Sequence, residues 1–194
     1  MKKLFVFMIM MCLLGASFAQ TKEELKAERQ QLKSELTSKD NAKMEAKYAK
    51  LVVNGVVQNQ PQETGIQSID GLINTDASLL NVLIATETIL KDYINDIKES
   101  EDGEVEINKY TPGLDTYLAA LPNVSEAVLQ AVQAATQLAQ VKNDVKGLNP
   151  MSAGGTIKAA TWAMDALPVT KQKLEQDAKL LQNLINSCKA AKNL

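Results

Sequence analysis

Residues 76–100 read DASLLNVLIATETILKDYINDIKES, and this stretch decides the fold. Its apolar residues recur at helical intervals, which places them on one face of an α-helix. A second apolar row lies beside the first, and so broad a face indicates contact with two or more neighbouring helices. The stretch therefore predicts a buried helix in an all-α protein. The first row is Leu79, Leu83, Leu90, Ile94 and Ile97, and the second is Leu80, Val82, Ile84, Ile89 and Tyr93.

A second helix is predicted to begin at Asn123 and to end at Gly147, because glycine commonly closes a helix. We expect residues 114–121, which precede Pro122, to form only a helical turn or two. The inner face of the predicted helix consists of Val128, Val132, Ala135, Leu138, Val141 and Val145.

The C-terminal segment is helical in composition after a break at Gly154 and Gly155. Pro168 lies within it, and we expect this proline to kink the helix or to restart it. The residues that follow contain the most regular heptad stripe in the chain, which is typical of a coiled-coil contact. The stripe is formed by Leu174, Ala178, Leu181, Ile185 and Cys188.

Residues 21–50 carry eight basic and six acidic side chains and predict one charged N-terminal helix. Thr21 and Glu24 form a capping-box pattern at its start. Its apolar stripe is narrow, and Arg29 occupies a slot between Leu25 and Leu32. We therefore expect a loosely docked helix, either peripheral or projecting from the bundle. On this interpretation Leu25→Asp is much less harmful than Leu83→Asp.

The connections contain two ambiguous segments. Asn54-Gly55 lies between valine pairs, which favours a β-hairpin, but the same dipeptide also ends helices. A lone hairpin is only marginally stable in water, so a helix stop is the preferred prediction. Residues 58–75 are polar and predict a long connection that contains at most one short helical turn. Residues 104–107 alternate between glutamate and β-branched residues, and a short strand or hairpin remains an alternative there.

The N-terminus has the three parts of a secretory signal peptide, in order. Lys2 and Lys3 are followed by an apolar run over residues 4–15, and Ser17 and Ala19 supply the small residues of a cleavage site. We expect residues 1–19 to be removed and residues 20–194 to form a single helical domain. The alternatives are an uncleaved membrane anchor and a lipoprotein acylated at Cys12.

Composition excludes several classes of function. The chain has no histidine, which removes the usual base of serine and cysteine hydrolases and the commonest metal ligand. Arg29 is its only arginine, and removing Lys2 and Lys3 leaves 19 basic and 23 acidic residues, a net charge of −4. Nucleic-acid binding usually requires clustered positive charge, so we expect no nucleic-acid partner.

Cys188 lies on an apolar stripe, and we expect it to be buried rather than to form an intermolecular disulfide.

One cluster of carboxylates is a candidate for cation binding. It comprises Glu99, Glu101, Asp102, Glu104 and Glu106, but its order does not match the calcium loop of an EF-hand. A solvated acidic turn is the simpler interpretation, and whether this loop binds a cation stays open. We identify no catalytic, cofactor-binding or metal-binding residue from the sequence and expect no cofactor.

Together these features predict a bundle of about four long helices with a charged N-terminal helix and irregular connections. The favoured function is non-enzymatic: an exported bacterial interaction or structural protein of the periplasm, the outer membrane or the extracellular space. Its expected partner is another protein, or a second copy, bound through the charged helix. The alternative is a membrane-active, pore-forming type of protein, although no segment after residue 19 is a stable transmembrane span. A carboxylate-based enzyme is the weakest hypothesis.

Overall fold

The computed structural model describes residues 20–151 and 153–193. The protein is all-α, with 80% helix in five α-helices, and this confirms the predicted fold class. The proposed signal peptide lies outside the described residues. No helix within them has a stretch both long and apolar enough to cross a bilayer.

Three long helices pack together as a bundle, and two shorter N-terminal helices lie against it. A two-stranded hairpin and two single turns of 3₁₀-helix, Ile107–Lys109 and Thr111–Gly113, complete the described secondary structure. In chain order the elements are α1 (Lys22–Leu36), α2 (Lys39–Leu51), β1 (Val52–Val53), β2 (Val56–Val57), α3 (Gln67–Glu99), α4 (Leu114–Lys146) and α5 (Gly154–Lys192).

Helix α3 is the central helix that residues 76–100 predict, but it begins nine residues earlier, at Gln67. The prediction of a connection through residue 75 is therefore wrong over that part. Ile69, Leu72 and Ile73 are fully buried there and extend the apolar face. Asp70 stabilises the entry to the helix, because its carboxylate accepts hydrogen bonds from the backbone N–H groups of Thr64, at 2.6 Å, and of Gly65, at 2.9 Å.

Pro122 and Pro168 both lie within continuous helices. This is contrary to the prediction that a helix begins after Pro122 and, for Pro168, to the alternative of a restart. Helix α4 runs through Pro122, so residues 114–121 belong to it, and α5 runs through Pro168 without restarting. Proline removes one backbone hydrogen bond from a helix and strains the preceding turn. Packing on either side outweighs this cost. Tyr117 and Val124 are buried around Pro122, and Leu167 and Val169 are buried around Pro168.

The valine pairs around Asn54-Gly55 form a hairpin, so the preferred prediction of a helix stop at this dipeptide is wrong. Helix α2 ends earlier, at Leu51. Both turn residues have positive φ angles, 52° and 73°, which the favoured two-residue hairpin turns require. Val52 pairs with Val57 and Val53 with Val56. The hairpin is not isolated, because Val52 and Val57 pack against the helical core.

The predicted N-terminal helix is divided into α1 and α2 at Thr37 and Ser38, and Ser38 caps α2 by accepting a hydrogen bond from the Asn41 backbone N–H. The capping box at Thr21 is present as predicted. Of the two alternatives for this helix, the projecting one is wrong and the peripheral one is confirmed, because the inner face of α1 is buried against the bundle. The buried residues of this face are Leu25, Arg29, Leu32 and Leu36.

Candidate functional site

The most unusual group of side chains is a charged cluster between α2, α3 and α5, called here the Lys173 cluster. It consists of Glu45 and Tyr48 from α2, Glu87 from α3, and Lys173 and Asp177 from α5. The Lys173 side chain is only 4% exposed. Its Nζ lies 2.8 Å from Glu45 Oε1 and 2.6 Å from Glu87 Oε1. One buried ammonium group therefore links three helices.

Tyr48 completes the shell around this ammonium group. Its hydroxyl donates a hydrogen bond of 2.7 Å to Glu87 Oε2, and its ring centroid lies 4.6 Å from Lys173 Nζ, within the range of a cation–π contact. Burial, together with the neighbouring Glu87 carboxylate, raises the pKa of Tyr48. The phenol therefore stays protonated and acts as a donor that fixes the orientation of Glu87.

The cluster contains three carboxylates and one ammonium group. Burial alone would lower the pKa of Lys173, but attraction to Glu87 and Glu45 outweighs it and raises that pKa, so the amine stays charged. Burial raises the pKa of Asp177 well above its usual value, and Lys173 only partly opposes this effect. Asp177 Oδ2 has no hydrogen-bond partner among the described residues. A charged lysine is a weak nucleophile, so this chemistry suits the fastening of helices rather than covalent catalysis.

A second polar network is centred on Arg29 and joins α1 to the C-terminal part of α5. Arg29 Nε donates to the Gly103 carbonyl oxygen at 2.8 Å, and its Nη1 donates to Ser187 Oγ at 2.9 Å. Asn183 accepts a hydrogen bond of 2.6 Å from the Tyr93 hydroxyl and donates to the Leu25 carbonyl oxygen at 3.2 Å. Arg29 is therefore part of the interface and not a gap in the stripe.

The acidic loop that the sequence offers as a cation site packs on α1 instead. Glu104 forms an ion pair of 2.5 Å with Lys26, and the Asp102 carbonyl oxygen accepts a hydrogen bond from Gln30. Gly103 has a φ of 73°, and a Cβ atom there would lie 2.8 Å from the Lys26 carbonyl oxygen, so glycine is required.

The structure does not bring the five acidic residues together. Within the part of the chain that the structure describes, no three histidine, cysteine, aspartate or glutamate side chains are arranged so that they could hold a metal ion. The alternative of a strand over residues 104–107 is wrong, since a 3₁₀ turn begins at Ile107.

Two further groups are sealed inside the bundle. Cys188 is fully buried, as the sequence predicts, and burial raises the pKa of its thiol to about 11, so it is unreactive at neutral pH. Asp76 on α3 is also fully buried, and neither carboxylate oxygen has a hydrogen-bond partner among residues 20–151 and 153–193. Burial raises the pKa of Asp76 to about 8.

Asp76→Asn is expected to stabilise the protein at pH 8 by about 2 kcal/mol, because the folded protein no longer has to keep protonated a carboxyl group that is ionised in the unfolded chain. The folded-state pKa lies above the unfolded value of 3.8, so the stability due to the neutral acid is present below pH 4 and is lost as the pH rises to about 8. Urea unfolding at pH 4, 6 and 8 measures this difference, which should disappear at pH 4. Asp92→Asn, at an exposed position on the same helix, is the control. Equal effects of the two substitutions at pH 8 would contradict the prediction.

A polar groove of about 380 Å³ lies where α1 meets α2, against α5. The polar side chains that line the groove pair with one another. Lys179 Nζ lies 3.0 Å from Glu35 Oε2, and Gln176 donates a hydrogen bond of 3.0 Å to Asn41. The groove therefore holds its polar groups in contacts between helices.

The sequence interpretation missed the Lys173 cluster and Asp76. A signal for part of the cluster is nevertheless present, because a second heptad stripe runs one residue before the predicted one and begins with charged residues. Its members are Lys173, Asp177, Leu180, Leu184 and Ser187, and all five are buried. Asp76 has no comparable signal, since an aspartate at this point suggests a helix cap.

In comparisons with known proteins, no family model, no curated protein and no solved structure matches this chain.

Proposed function

We propose that the chain is an exported bacterial protein with a non-enzymatic interaction or structural role in the cell envelope or the secretome. The observation that best supports this proposal is the burial of the ionisable side chains that could take part in a reaction. Asp76, Lys173 and Asp177 are buried between packed helices. A substrate would have to separate the helices to reach them, whereas catalytic groups usually line an accessible cleft.

The outward face of α1 is the surface that we propose for a protein partner. Its inner face is buried, whereas Lys22, Glu23, Ala27, Gln30 and Gln31 are exposed. Lys22, Glu23 and Glu24 place exposed charges of both signs at the start of this face, and a partner must match them, which favours specific recognition. A second copy of the chain is the other candidate for this contact.

A photo-reactive residue at position 27 tests this contact in envelope extracts. Ala27 is exposed on α1, and Ala139, which is exposed on α4, provides the matched control position. The proposal expects a specific cross-linked product from position 27 and none from position 139. Equal products from both positions would argue against α1 as the contact surface. Leakage of vesicle contents caused by the purified protein would favour the membrane-active alternative.

Export and cleavage before Gln20 are tested at the cleavage site. Ala19→Leu places a large residue at the position that requires a small one, so we expect the unprocessed chain to accumulate. Phe18→Leu changes the neighbouring, more tolerant position and should be processed normally. Mass spectrometry of cell fractions identifies the first residue of each product. A wild-type chain that still begins at Met1 in the envelope fraction would refute cleavage.

A further inference from the structure

Helix α2 carries a row of lysines on its outer side, called here the lysine stripe. It consists of Lys39, Lys43, Lys47 and Lys50, all of them exposed. Their spacings of four, four and three residues place them within one narrow arc of the helix, over about 16 Å. Lys43 forms an exposed ion pair of 2.9 Å with Asp40. The other three lysines have no ion pair with any residue that the structure describes.

The stripe is concentrated on a protein that is otherwise acidic. Residues 20–194 contain 19 basic and 23 acidic side chains. Helix α2 has two acidic residues, Asp40 and Glu45, and Glu45 is directed to the buried Lys173. The outward charge of α2 is therefore four lysines against one aspartate. A negatively charged protein that presents such a row has a local site for an anionic surface.

An exposed apolar pair follows the stripe directly. The hairpin starts two residues after Lys50, and its outer valines, Val53 and Val56, are 46% and 60% exposed. They pair across the two strands and so lie on one face of the hairpin, while Val52 and Val57 pack against the core. A basic row followed by an exposed apolar tip combines the two forces that hold peripheral proteins on lipid: attraction to anionic headgroups and shallow insertion of apolar side chains.

We propose that the lysine stripe and the Val53–Val56 tip bind the surface of a bilayer rich in anionic phospholipid. The choice of lysine favours lipid over an acidic protein as the partner. Lysine is a flexible point charge that suits a diffuse layer of headgroups, whereas arginine provides the paired donors that recognise individual carboxylates. The stripe contains no arginine. This inference does not depend on the α1 surface proposed for a protein partner.

Vesicle co-sedimentation tests the proposal with the chain that starts at Gln20, which retains all five helices and lacks the apolar N-terminal run. The probes are vesicles of phosphatidylcholine alone and vesicles with about one third phosphatidylglycerol. We expect binding only to the anionic vesicles, and we expect it to weaken as salt is added. Equal binding to both kinds of vesicle, or to neither, would overturn the proposal.

Paired variants locate the binding surface. Lys43→Gln with Lys47→Gln removes two charges from the stripe, and binding should fall about twenty-five-fold, since each lysine near an anionic surface contributes about fivefold. Lys142→Gln with Lys146→Gln makes the same change in net charge on exposed positions of α4 and should leave binding within about twofold. Equal losses from the two pairs would mean that overall charge, not the stripe, governs binding.

The apolar tip and the nature of the partner are tested together. Val53→Thr with Val56→Thr keeps the shape and the strand preference but removes apolar surface, and vesicle binding should fall several-fold. Soluble polyglutamate is the competing probe for an acidic protein. Tighter binding of the stripe to polyglutamate, with no effect of the valine substitutions, would reassign the site to an acidic protein and refute the lipid proposal.

Discussion

Leu25→Asp is expected to lower the free energy of unfolding by at least about 3 kcal/mol, approaching the loss from Leu83→Asp. Both leucines are buried, at 2% and 0% exposure. A carboxylate at either position must be taken out of water without a partner, or must separate the helices to stay hydrated. The structure thus reverses the expectation that position 25 is tolerant, because the start of α1 is sealed.

Leu129→Asp is the matched control, since Leu129 is 41% exposed on α4, and it should cost less than about 1 kcal/mol. Urea unfolding of the three variants at pH 7 measures the differences. If Leu25→Asp behaves like Leu129→Asp, α1 is not docked in solution as the structure places it.

Lys173→Met is expected to destabilise the protein by about 3 kcal/mol at pH 7, because breaking a buried ion pair leaves its partners without compensation. The loss should lie at the lower end of the range for buried pairs. The Glu45 and Glu87 side chains are 40% and 27% exposed, and water can partly replace the ammonium group. Methionine keeps most of the volume of the lysine stem, so the loss reports on charge and not on a cavity.

A double-mutant cycle with Glu87→Gln isolates the contact between Lys173 and Glu87. We expect the double variant to be more stable than the sum of the two single losses implies. Lys43→Met breaks the exposed pair with Asp40 and should cost less than about 0.5 kcal/mol. A cycle that is additive within error would show that Lys173 and Glu87 contribute independently, and the cluster would then not fasten α3 to α5.

The long helices follow from local periodicity, which the sequence contains in full. The leucines of residues 76–100 repeat at helical intervals, and the stripe from Leu174 to Cys188 is buried as predicted. A helix whose face is apolar over several turns leaves few alternatives, because the same face must be covered whichever neighbours cover it. Fold class and the identity of the central helix could be predicted for this reason.

The helix boundaries and the charged contacts depend on residues that are distant in the chain. Local sequence patterns therefore predict them wrongly. Pro122 and Pro168 remain in helices because flanking residues are buried against other elements, which a local pattern does not show. The hairpin at Asn54 persists because α3 supports it. In the sequence, Arg29 and Lys173 look like charges exposed to solvent. Their partners, Ser187 on α5 and Glu45 on α2, are distant in the chain and are seen only in the structure.

The contacts that attach α1 and α2 have a consequence for the order of folding. Arg29 bonds to Ser187, which is 158 residues later, and Lys173 bonds to Glu45 across 128 residues. A ribosome makes the first helices long before the last one. Until α5 emerges, α1 and α2 have only the contacts that α3 and the loop after it provide, such as Glu87 with Tyr48 and Gly103 with Arg29. The charged contacts with α5 therefore form late, and a nascent chain halted before residue 173 should be more sensitive to protease in α1 and α2 than the complete chain.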